Sequence, residues 1–250
     1  MHQAQLNLPP LSLNAWLRYD FIERILAGLE GVGRVLEVGT GQGAIGARLA
    51  SRYDYTGVEP DLDSFAVARK RLERVGRGRM VNGFVSDLPA DATFDLVCAF
   101  EVLEHIEDDV AALREWGARV RPGGYAMISS PAFPDRFGPF DHFAGHFRRY
   151  DRQQFADLLT AAGFEEPSVF TYGALLGQLL ETIRHRVTAR KASPVSMEER
   201  TAASGRWMHP DRLGWLTHAA SAPFRVLQRP FANGNVGTGF VAVARRAGPS

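Results

Sequence analysis

Apolar side chains occur along the chain in short runs, each bounded by glycine, proline or charged residues. Residues 34–38 are a clear example, because apolar and branched side chains dominate a segment too short for a helix. Runs of this length and composition predict strands that are buried inside a sheet. The predicted strands are residues 34–38, 55–58, 80–85, 94–100, 125–129, 168–171 and 239–244.

Helical periodicity occupies the intervals between these runs. Near the start, Trp16, Phe21, Ile22 and Leu26 recur at the spacing of one helix face. The other predicted helices of this part are residues 44–53, 63–75, 108–120 and 152–162. Regular alternation of strands and helices predicts an α/β fold, in which right-handed crossovers place helices on both faces of a parallel sheet.

About sixty residues separate the sixth predicted strand from the last one. We expect a single domain over residues 1–250, with a core at 14–172, a helical insertion or cap at 173–235 and the final strand within 236–246. The insertion contains a predicted amphipathic helix, a polar link at 192–205 and an aromatic, apolar segment at 207–231. The predicted apolar stripe of the helix is Leu176, Leu180, Ile183 and Val187, with Gln178, Glu181 and Arg184 on the opposite face.

The insertion has three interpretations that the sequence leaves open. Its apolar content suits a lid over a hydrophobic or aromatic small molecule. A basic cluster at one end instead favours an interfacial helix, with peripheral membrane contact through residues 174–231. The third interpretation is a homodimer contact. The basic cluster consists of Arg184, His185, Arg186, Arg190 and Lys191.

Composition excludes several classes of protein. With 250 residues and 45% hydrophobic side chains, the chain can bury a sizeable core. Its 29 basic and 28 acidic residues leave a net charge of +1, which argues against a nucleic-acid partner. Cys98, the single cysteine, excludes an internal disulfide. The sequence shows no secretory-signal pattern and no apolar stretch of about 18 residues, so it predicts a cytoplasmic protein without a transmembrane segment.

A glycine-dense turn after the first predicted strand carries the strongest chemical signal. Gly41, Gly43 and Gly46 match the GxGxxG pattern of dinucleotide sites, but a lone match of that kind is weak. Glu59 follows the next strand, where a carboxylate suits ribose hydroxyls. Glu37 lies just before the turn and would repel a pyrophosphate, whereas it would attract a ligand that carries an amino group and a sulfonium.

This arrangement resembles the signature of class I S-adenosylmethionine (SAM)-dependent methyltransferases, in particular the small-molecule enzymes of the ubiquinone-pathway type. Further motifs support the resemblance: Val58-Glu59-Pro60-Asp61, Ser86-Asp87-Leu88-Pro89, Phe94-Asp95-Leu96-Val97, the segment 100–106 and Arg121-Pro122-Gly123-Gly124. The resemblance covers about residues 14–172. It implies a Rossmann-like, doubly wound sheet of seven strands, mostly parallel with the last strand antiparallel, and SAM as cofactor.

The resemblance also implies roles for individual residues. Glu37 and the turn residues Gly39, Thr40, Gly41 and Gly43 would hold the methionine moiety. Glu59 would accept hydrogen bonds from both ribose hydroxyls. The adenine would meet Asp87 through its amino group and would pack on Pro60 and Leu88, whereas Phe100 and Glu101 would face the reacting end. Arg18 would reach the methionine carboxylate, although the alternative is a helix packed on the sheet with Arg18 in solvent.

Three histidines are candidates for a general base on the acceptor side: His105, His142 and His146. All follow strands whose carboxyl ends should lie at the ligand-binding edge. Each has a structural alternative, namely packing on the sheet or within a loop. His142 and His146 are four residues apart, but Gly145 and Pro139 argue against a common helix face and no third ligand accompanies them. The sequence therefore predicts no metal site.

The preferred prediction is an enzyme that transfers the SAM methyl group to a small-molecule acceptor, as an O-methyltransferase of an apolar or aromatic metabolite. N- and C-methylation stay open. An NAD(P)-dependent oxidoreductase is the runner-up, although no tyrosine has a lysine four residues later. A non-catalytic SAM-binding or membrane-associated protein is the alternative from a different class.

Overall fold

The computed structural model describes residues 8–189 and 214–248. Its strands are β1 (Arg34–Val38), β2 (Asp54–Glu59), β3 (Arg79–Asn82), β4 (Phe94–Phe100), β5 (Val120–Pro131), β6 (Phe164–Tyr172) and β7 (Gly239–Arg246). They form one seven-stranded sheet in the order β3-β2-β1-β4-β5-β7-β6. All neighbouring strands from β3 to β5 are parallel, and β7 runs antiparallel to both β5 and β6. The predicted fold class is confirmed.

Helices flank the sheet and connect its strands. They are α1 (Leu13–Gly28), α2 (Ala44–Ala50), α3 (Leu62–Val75), α4 (Asp109–Ala118), α5 (Pro139–Ala144), α6 (Arg152–Ala161), α7 (Leu176–Ala189) and α8 (Gly214–Leu227). The last two precede β7, as predicted for the insertion. The predicted link at 192–205, together with Arg190, Lys191 and Trp207, lies outside the described residues. In the parts of the chain that the structure describes, no helix is long and apolar enough to cross a membrane.

The buried central strand β1 determines where the carboxyl ends of the parallel strands lie. β1 lies between β2 and β4, and its residues from Val35 to Val38 are buried. Because side chains alternate along a strand, Val35 and Leu36 enter hydrophobic clusters on opposite faces of the sheet. The carboxyl ends of β1, β2 and β4 therefore meet at one buried edge, which is where open α/β sheets bind ligands.

The amphipathic helix of the insertion is present, but its polar stripe faces inward. Glu181 of α7 is 6% exposed, whereas Leu179 is 58% and Ile183 48% exposed. The reason is an ion pair beneath the helix, because Glu181 accepts a hydrogen bond from the buried guanidinium of Arg149 at 2.5 Å. Ile183 and Val187, two members of the predicted apolar stripe, consequently face outward. These outward-facing apolar side chains leave the three interpretations of the insertion open: a lid, an interfacial helix or a homodimer contact.

Asp95, near the start of β4, ties three strands together at the opposite edge of the sheet. Its Oδ2 accepts hydrogen bonds from the backbone N–H groups of Gly33 at 2.8 Å and Arg34 at 2.7 Å, and its Oδ1 accepts one from Arg121 of β5. Burial tends to raise the pKa of Asp95, but the hydrogen bonds from Arg34, Arg121 and Gly33 outweigh it and hold the pKa below its usual value. The motif residue Asp95 thus has a structural role, because it links three strands through hydrogen bonds, which we call the Asp95 clasp.

Replacing Asp95 by Ala should destabilise the protein by about 1–3 kcal/mol, because two backbone donors and Arg121 lose a charged acceptor. Thermal unfolding at pH 7 measures the effect, with Asp91→Ala in a nearby exposed loop as the control. Because the pKa of Asp95 is lower in the folded protein than in the unfolded chain, its ionised form stabilises the fold. This stabilisation is complete above the pKa of the unfolded chain and is lost as the pH falls through the pKa of the folded protein. The difference between wild type and variant should therefore shrink below about pH 4. Equal unfolding temperatures at pH 7 would contradict the clasp.

Candidate functional site

A cavity of about 870 Å³ runs along the carboxyl edge of the sheet. At one end it is bounded by the glycine turn after β1 and by the ends of β2 and β4. At the other end its walls come from α5, α7 and the residues that flank β7. The cavity is thus elongated, with chemically different ends.

The glycine turn exposes backbone to the first end of the cavity. Gly39, Gly41 and Gly43 all have positive φ values, which side chains disfavour. At Gly41 (φ 52°), no atom lies within 4 Å of the position that a Cβ would occupy, so a ligand can approach the main chain there. Thr40 also lines this end, and its buried Oγ1 has no hydrogen-bond partner among the described residues. Both features fit a ligand that packs against the turn and bonds to it.

Glu59 is held rigidly at the end of β2. Its Oε2 accepts a hydrogen bond from the N–H of Gly41 at 2.7 Å, and its Oε1 accepts one from the N–H of Asp61 at 3.0 Å. Burial raises the pKa of Glu59, and the two backbone hydrogen bonds oppose that shift. A fixed carboxylate with two free lone pairs facing a cavity is suited to a pair of vicinal hydroxyls, as in a ribose.

Glu37 adds a buried acidic group directly below the turn. Its side chain is 3% exposed, and the hydroxyl of Tyr55 donates to its Oε2 at 2.6 Å. Burial raises the pKa of Glu37 to about 8, against the hydrogen bond of Tyr55 and the charge of Arg18. A cationic ligand in this part of the cavity would stabilise the ionised form, whereas a pyrophosphate would not.

Glu101 lies between the two ends of the cavity, where several elements meet on its Oε1. Arg18 of α1 pairs with this oxygen at 3.1 Å, and Ser129 and Tyr172 donate to it at 2.9 and 3.1 Å. Burial lowers the pKa of Arg18, but Glu101 and Tyr172 together outweigh burial and raise it. Of the two predicted environments for Arg18, the structure shows the one inside the cavity, with Glu101 as its partner.

The backbone of Glu101 is strained. Its φ of 60° lies in the left-handed region, which typically costs a non-glycine residue about 1–3 kcal/mol. The N–H of Glu101 donates to Ser129 O at 3.0 Å, which holds this conformation at the end of β4. Strain of this kind, held in place by neighbouring strands, is typical of residues that a site needs in one orientation.

Of the three residues predicted to contact the adenine, one lines the cavity. Pro60 lines it, but Asp87 and Leu88 do not. Asp87 accepts a hydrogen bond from the N–H of Phe84 at 2.7 Å and so closes its own short turn, while Leu88 is buried in the core. Phe84, which is 63% exposed and lines the cavity, presents the aromatic surface that the sequence analysis missed.

At the other end of the cavity, His146 is oriented by a carboxylate. Its Nδ1 lies 2.8 Å from Asp141 Oδ1, and Asp141 also receives two hydrogen bonds from Arg149. Burial tends to raise the pKa of Asp141, but His146 and Arg149 outweigh it and hold the pKa well below its usual range. An ionised Asp141 can only accept, so Nδ1 of His146 is the donor in this contact and Nε2 is the ring nitrogen that Asp141 leaves available.

The other two candidate histidines differ from His146. The ring of His105 lies 4.7 Å from that of His146, in an edge-on arrangement. Burial, with a further contribution from His146, lowers the pKa of His105 to about 4, so it is a weak base at neutral pH. His142 is exposed on α5 and does not line the cavity; its ring packs against Phe137. The structure brings together His105 and His146, but not His142.

Polar atoms without hydrogen-bond partners collect beside His146. Within the described residues, Glu104 Oε1 and His105 Nδ1 are buried and unpaired. Burial and the charge of Glu101 raise the pKa of Glu104 well above its usual value. Ligand atoms of Glu104, His105 and His146 all lie within 4.8 Å of one another, an arrangement that could hold a metal ion. The sequence argument against a metal site considered His142 together with His146. In the structure His146 lies instead beside Glu104 and His105, so the absence of a metal site stays a prediction.

Comparisons with known proteins agree with this geometry. A family profile described as "Methyltransferase domain" matches residues 12–167. A probable SAM-dependent methyltransferase of Mycolicibacterium smegmatis is 33% identical over 158 residues, which are 61% of this chain and 60% of that protein. The chain belongs to the SAM-dependent methyltransferases.

Two further comparisons add detail to this family assignment. A ubiquinone biosynthesis O-methyltransferase of Alkalilimnicola ehrlichii is 34% identical over 121 residues, 46% of this chain and 47% of that protein. A solved SAM-dependent methyltransferase of Thermotoga maritima, described as a possible histamine N-methyltransferase, shares the fold with a TM-score of 0.55 and 19% identity, covering 94% and 95% of the two chains. The match spans about three fifths of the length of the Mycolicibacterium smegmatis relative and about half of the length of the Alkalilimnicola ehrlichii one. The family supports SAM as the cofactor.

Several residues of this methyltransferase site could not be found from motifs. Asp141 is not among the predicted site residues, although its position three residues after Gly138 is a helix-capping pattern. Tyr172, Glu181 and Arg184 reach the cavity from β6 and α7, whose sequences show only apolar or amphipathic patterns. Their roles depend on how distant segments pack together.

Cofactor binding should depend on pH through Glu37. Below about pH 8 part of Glu37 is protonated, and a ligand that carries an amino group favours the carboxylate. Binding of S-adenosylhomocysteine at pH 7 should therefore release protons, and its affinity should rise with pH up to about 8, by at most tenfold per pH unit. Calorimetry in two buffers of different ionisation enthalpy measures the protons released.

The matched variant for this prediction is Glu37→Gln, which keeps the size of the side chain and removes its titration. The variant should bind without releasing protons below pH 8. Proton release of the same size in wild type and variant would show that another group titrates on binding.

Proposed function

We propose that this protein transfers the methyl group of SAM to a hydroxyl oxygen of a small, apolar or aromatic molecule. The observation that carries the proposal is one continuous cavity that joins a nucleotide cradle to a histidine oriented by a carboxylate. Methyl transfer needs the acceptor, the methyl group and the sulfur in line, and a cavity that reaches both the glycine turn and His146 can hold the two substrates side by side.

At the cofactor end, the residues fit SAM by shape and by charge. The open side of Gly41 and the unpaired Thr40 hydroxyl accommodate a ligand on the turn, and Glu59 suits its ribose. Glu37 and Glu101 place negative charge where the amino group and the sulfonium would lie. When bound, SAM supplies an electrophilic methyl group on positively charged sulfur.

At the acceptor end, His146 is the group that can take a proton. A hydroxyl that attacks the methyl carbon forms a C–O bond as the C–S bond breaks. Its proton passes to Nε2 of His146, while Asp141 keeps the Nδ1 proton in place and stabilises the charged ring. Phe140, whose ring lies 6.1 Å from that of His146, gives this end of the cavity an apolar wall.

Oxygen as the acceptor atom rests on two supports. A hydroxyl must lose its proton during transfer, and the His146–Asp141 pair can act as the general base that accepts it. The relatives that match with 30–41% identity include several ubiquinone biosynthesis O-methyltransferases. We further propose that residues 14–172 carry the cofactor and that 173–235 contribute acceptor selectivity. The predicted homodimer and membrane contact stay predictions.

The cofactor assignment is tested by thermal stabilisation. S-adenosylhomocysteine at saturating concentration should raise the unfolding temperature of the wild type by a few degrees, and NAD should not. Glu59→Ala should abolish the shift because the ribose hydroxyls lose their acceptor. Glu73→Ala, an exposed residue of α3, is the control and should keep the shift. Stabilisation by NAD alone would contradict the proposal.

The role of His146 is tested by turnover. Incubation with methyl-labelled SAM and a panel of small hydroxylated compounds identifies an acceptor. His146→Gln should then lower kcat by about 10²–10⁴-fold, while the affinity for S-adenosylhomocysteine is unchanged. His142→Gln should have little effect, because His142 lies outside the cavity. Equal loss in both variants, or full activity of His146→Gln, would contradict the assignment.

A further inference from the structure

Among the residues that the structure describes, three arginines line the methyltransferase cavity, and two of them are paired with carboxylates. Arg18 pairs with Glu101 at 3.1 Å. Arg149 pairs with Asp141 at 2.8 Å and with Glu181 at 2.5 Å. The third is Arg184, which the inward polar face of α7 brings into the cavity.

Arg184 has no carboxylate partner within ion-pair distance in residues 8–189 and 214–248. Its Nε is buried and makes no hydrogen bond there. The guanidinium carbon lies 4.1 Å from the centre of the Phe140 ring, so the cation makes a cation–π contact with this ring. Burial lowers the pKa of Arg184, and the charge of Glu181 only partly offsets this effect. A half-buried guanidinium without an ion-pair partner among the described residues can gain from an anion that binds beside it.

The location of Arg184 identifies where that anion would come from. Arg184 lines the same end of the cavity as Phe140, His146 and Glu181, away from the glycine turn. Arg148 and Arg149 follow β5 and are the arginines that sequence position alone would suggest for an anionic acceptor. However, Arg148 is bound to Asp109 and Arg149 to Asp141. Arg184 is thus the cation that stays available to a ligand beside His146.

We propose that Arg184 recognises an anionic group on the methyl acceptor, so that the preferred acceptor is an aromatic or apolar molecule bearing a carboxylate or a phosphate-type anion. The planar guanidinium can bond both oxygens of such a group while Phe140 packs against the apolar body. This inference rests on the proposed function, since it assigns a ligand to the acceptor end of that cavity.

The test uses the whole chain loaded with S-adenosylhomocysteine and three small probes. Benzoate and phenylphosphonate are the two kinds of aromatic anion, and benzamide is the neutral molecule of the same shape as benzoate. Calorimetric titration should show that at least one anion binds about 10–100-fold more tightly than benzamide. The comparison of the two anions distinguishes a carboxylate site from a phosphate-type site.

Variants of α7 locate the effect. Arg184→Met should remove the preference for the anion, and Arg184→Lys should keep part of it, because the charge remains but the planar fork is lost. Arg186→Met, an exposed arginine of the same helix, should keep the full preference. Arg184→Met should also keep or raise the unfolding temperature, since a buried charge is removed, whereas a purely structural role would lower it.

The outcomes separate this inference from the proposed function. Equal binding of the anions and benzamide, no binding of either anion at millimolar concentration, or a preference that survives in Arg184→Met would each overturn the inference while leaving the cofactor site intact. A loss of S-adenosylhomocysteine affinity in Arg184→Met would overturn it as well, because Arg184 would then serve the cofactor carboxylate. Failure of the wild type to bind S-adenosylhomocysteine would instead overturn the proposed function.

Discussion

The carboxylate of Glu101 is the contact on which the functional edge depends. It ends β4 in a strained conformation and accepts interactions from α1, β5 and β6 through Arg18, Ser129 and Tyr172. Elements that are far apart in sequence therefore meet at one oxygen atom. That oxygen lies between the cofactor end and the acceptor end of the cavity, so packing of the fold and alignment of the two substrates rely on the same contact.

Charge is distributed along the cavity in a way that suits the reaction proposed. Carboxylates dominate the end that would receive the cofactor, and burial raises the pKa values of Glu37 and Glu59 there. At the other end, Asp141 stays ionised beside His146 and Arg149, and Arg184 adds a cation without a carboxylate partner in the described chain. In the proposed function the two ends therefore receive groups of opposite charge, the sulfonium at one end and the anion on Arg184 at the other.

Sequence reasoning succeeded where function depends on local pattern. The strand runs, the glycine turn and the position of Glu59 are encoded within a few residues, and the structure has the predicted sheet with Glu59 beside Gly41. Local pattern says less where a side chain has several nearby partners: Asp87 accepts a hydrogen bond from Phe84, and its predicted contact with adenine stays a prediction. For α7 the local pattern predicts an apolar face and a polar face but not which of them packs inward. The buried Arg149, 32 residues before Glu181, turns the polar face inward, and no local pattern contains that requirement.

A crystal structure of the complex with S-adenosylhomocysteine tests the account most directly, because it measures where each end of the cofactor lies. The account predicts the ribose hydroxyls on Glu59 and the amino group near Glu37. It places the sulfur beside Glu101, with the space in front of it facing His146 and Arg184. A cofactor bound away from the glycine turn, or with its sulfur directed away from His146, would contradict the central claim that one cavity aligns both substrates.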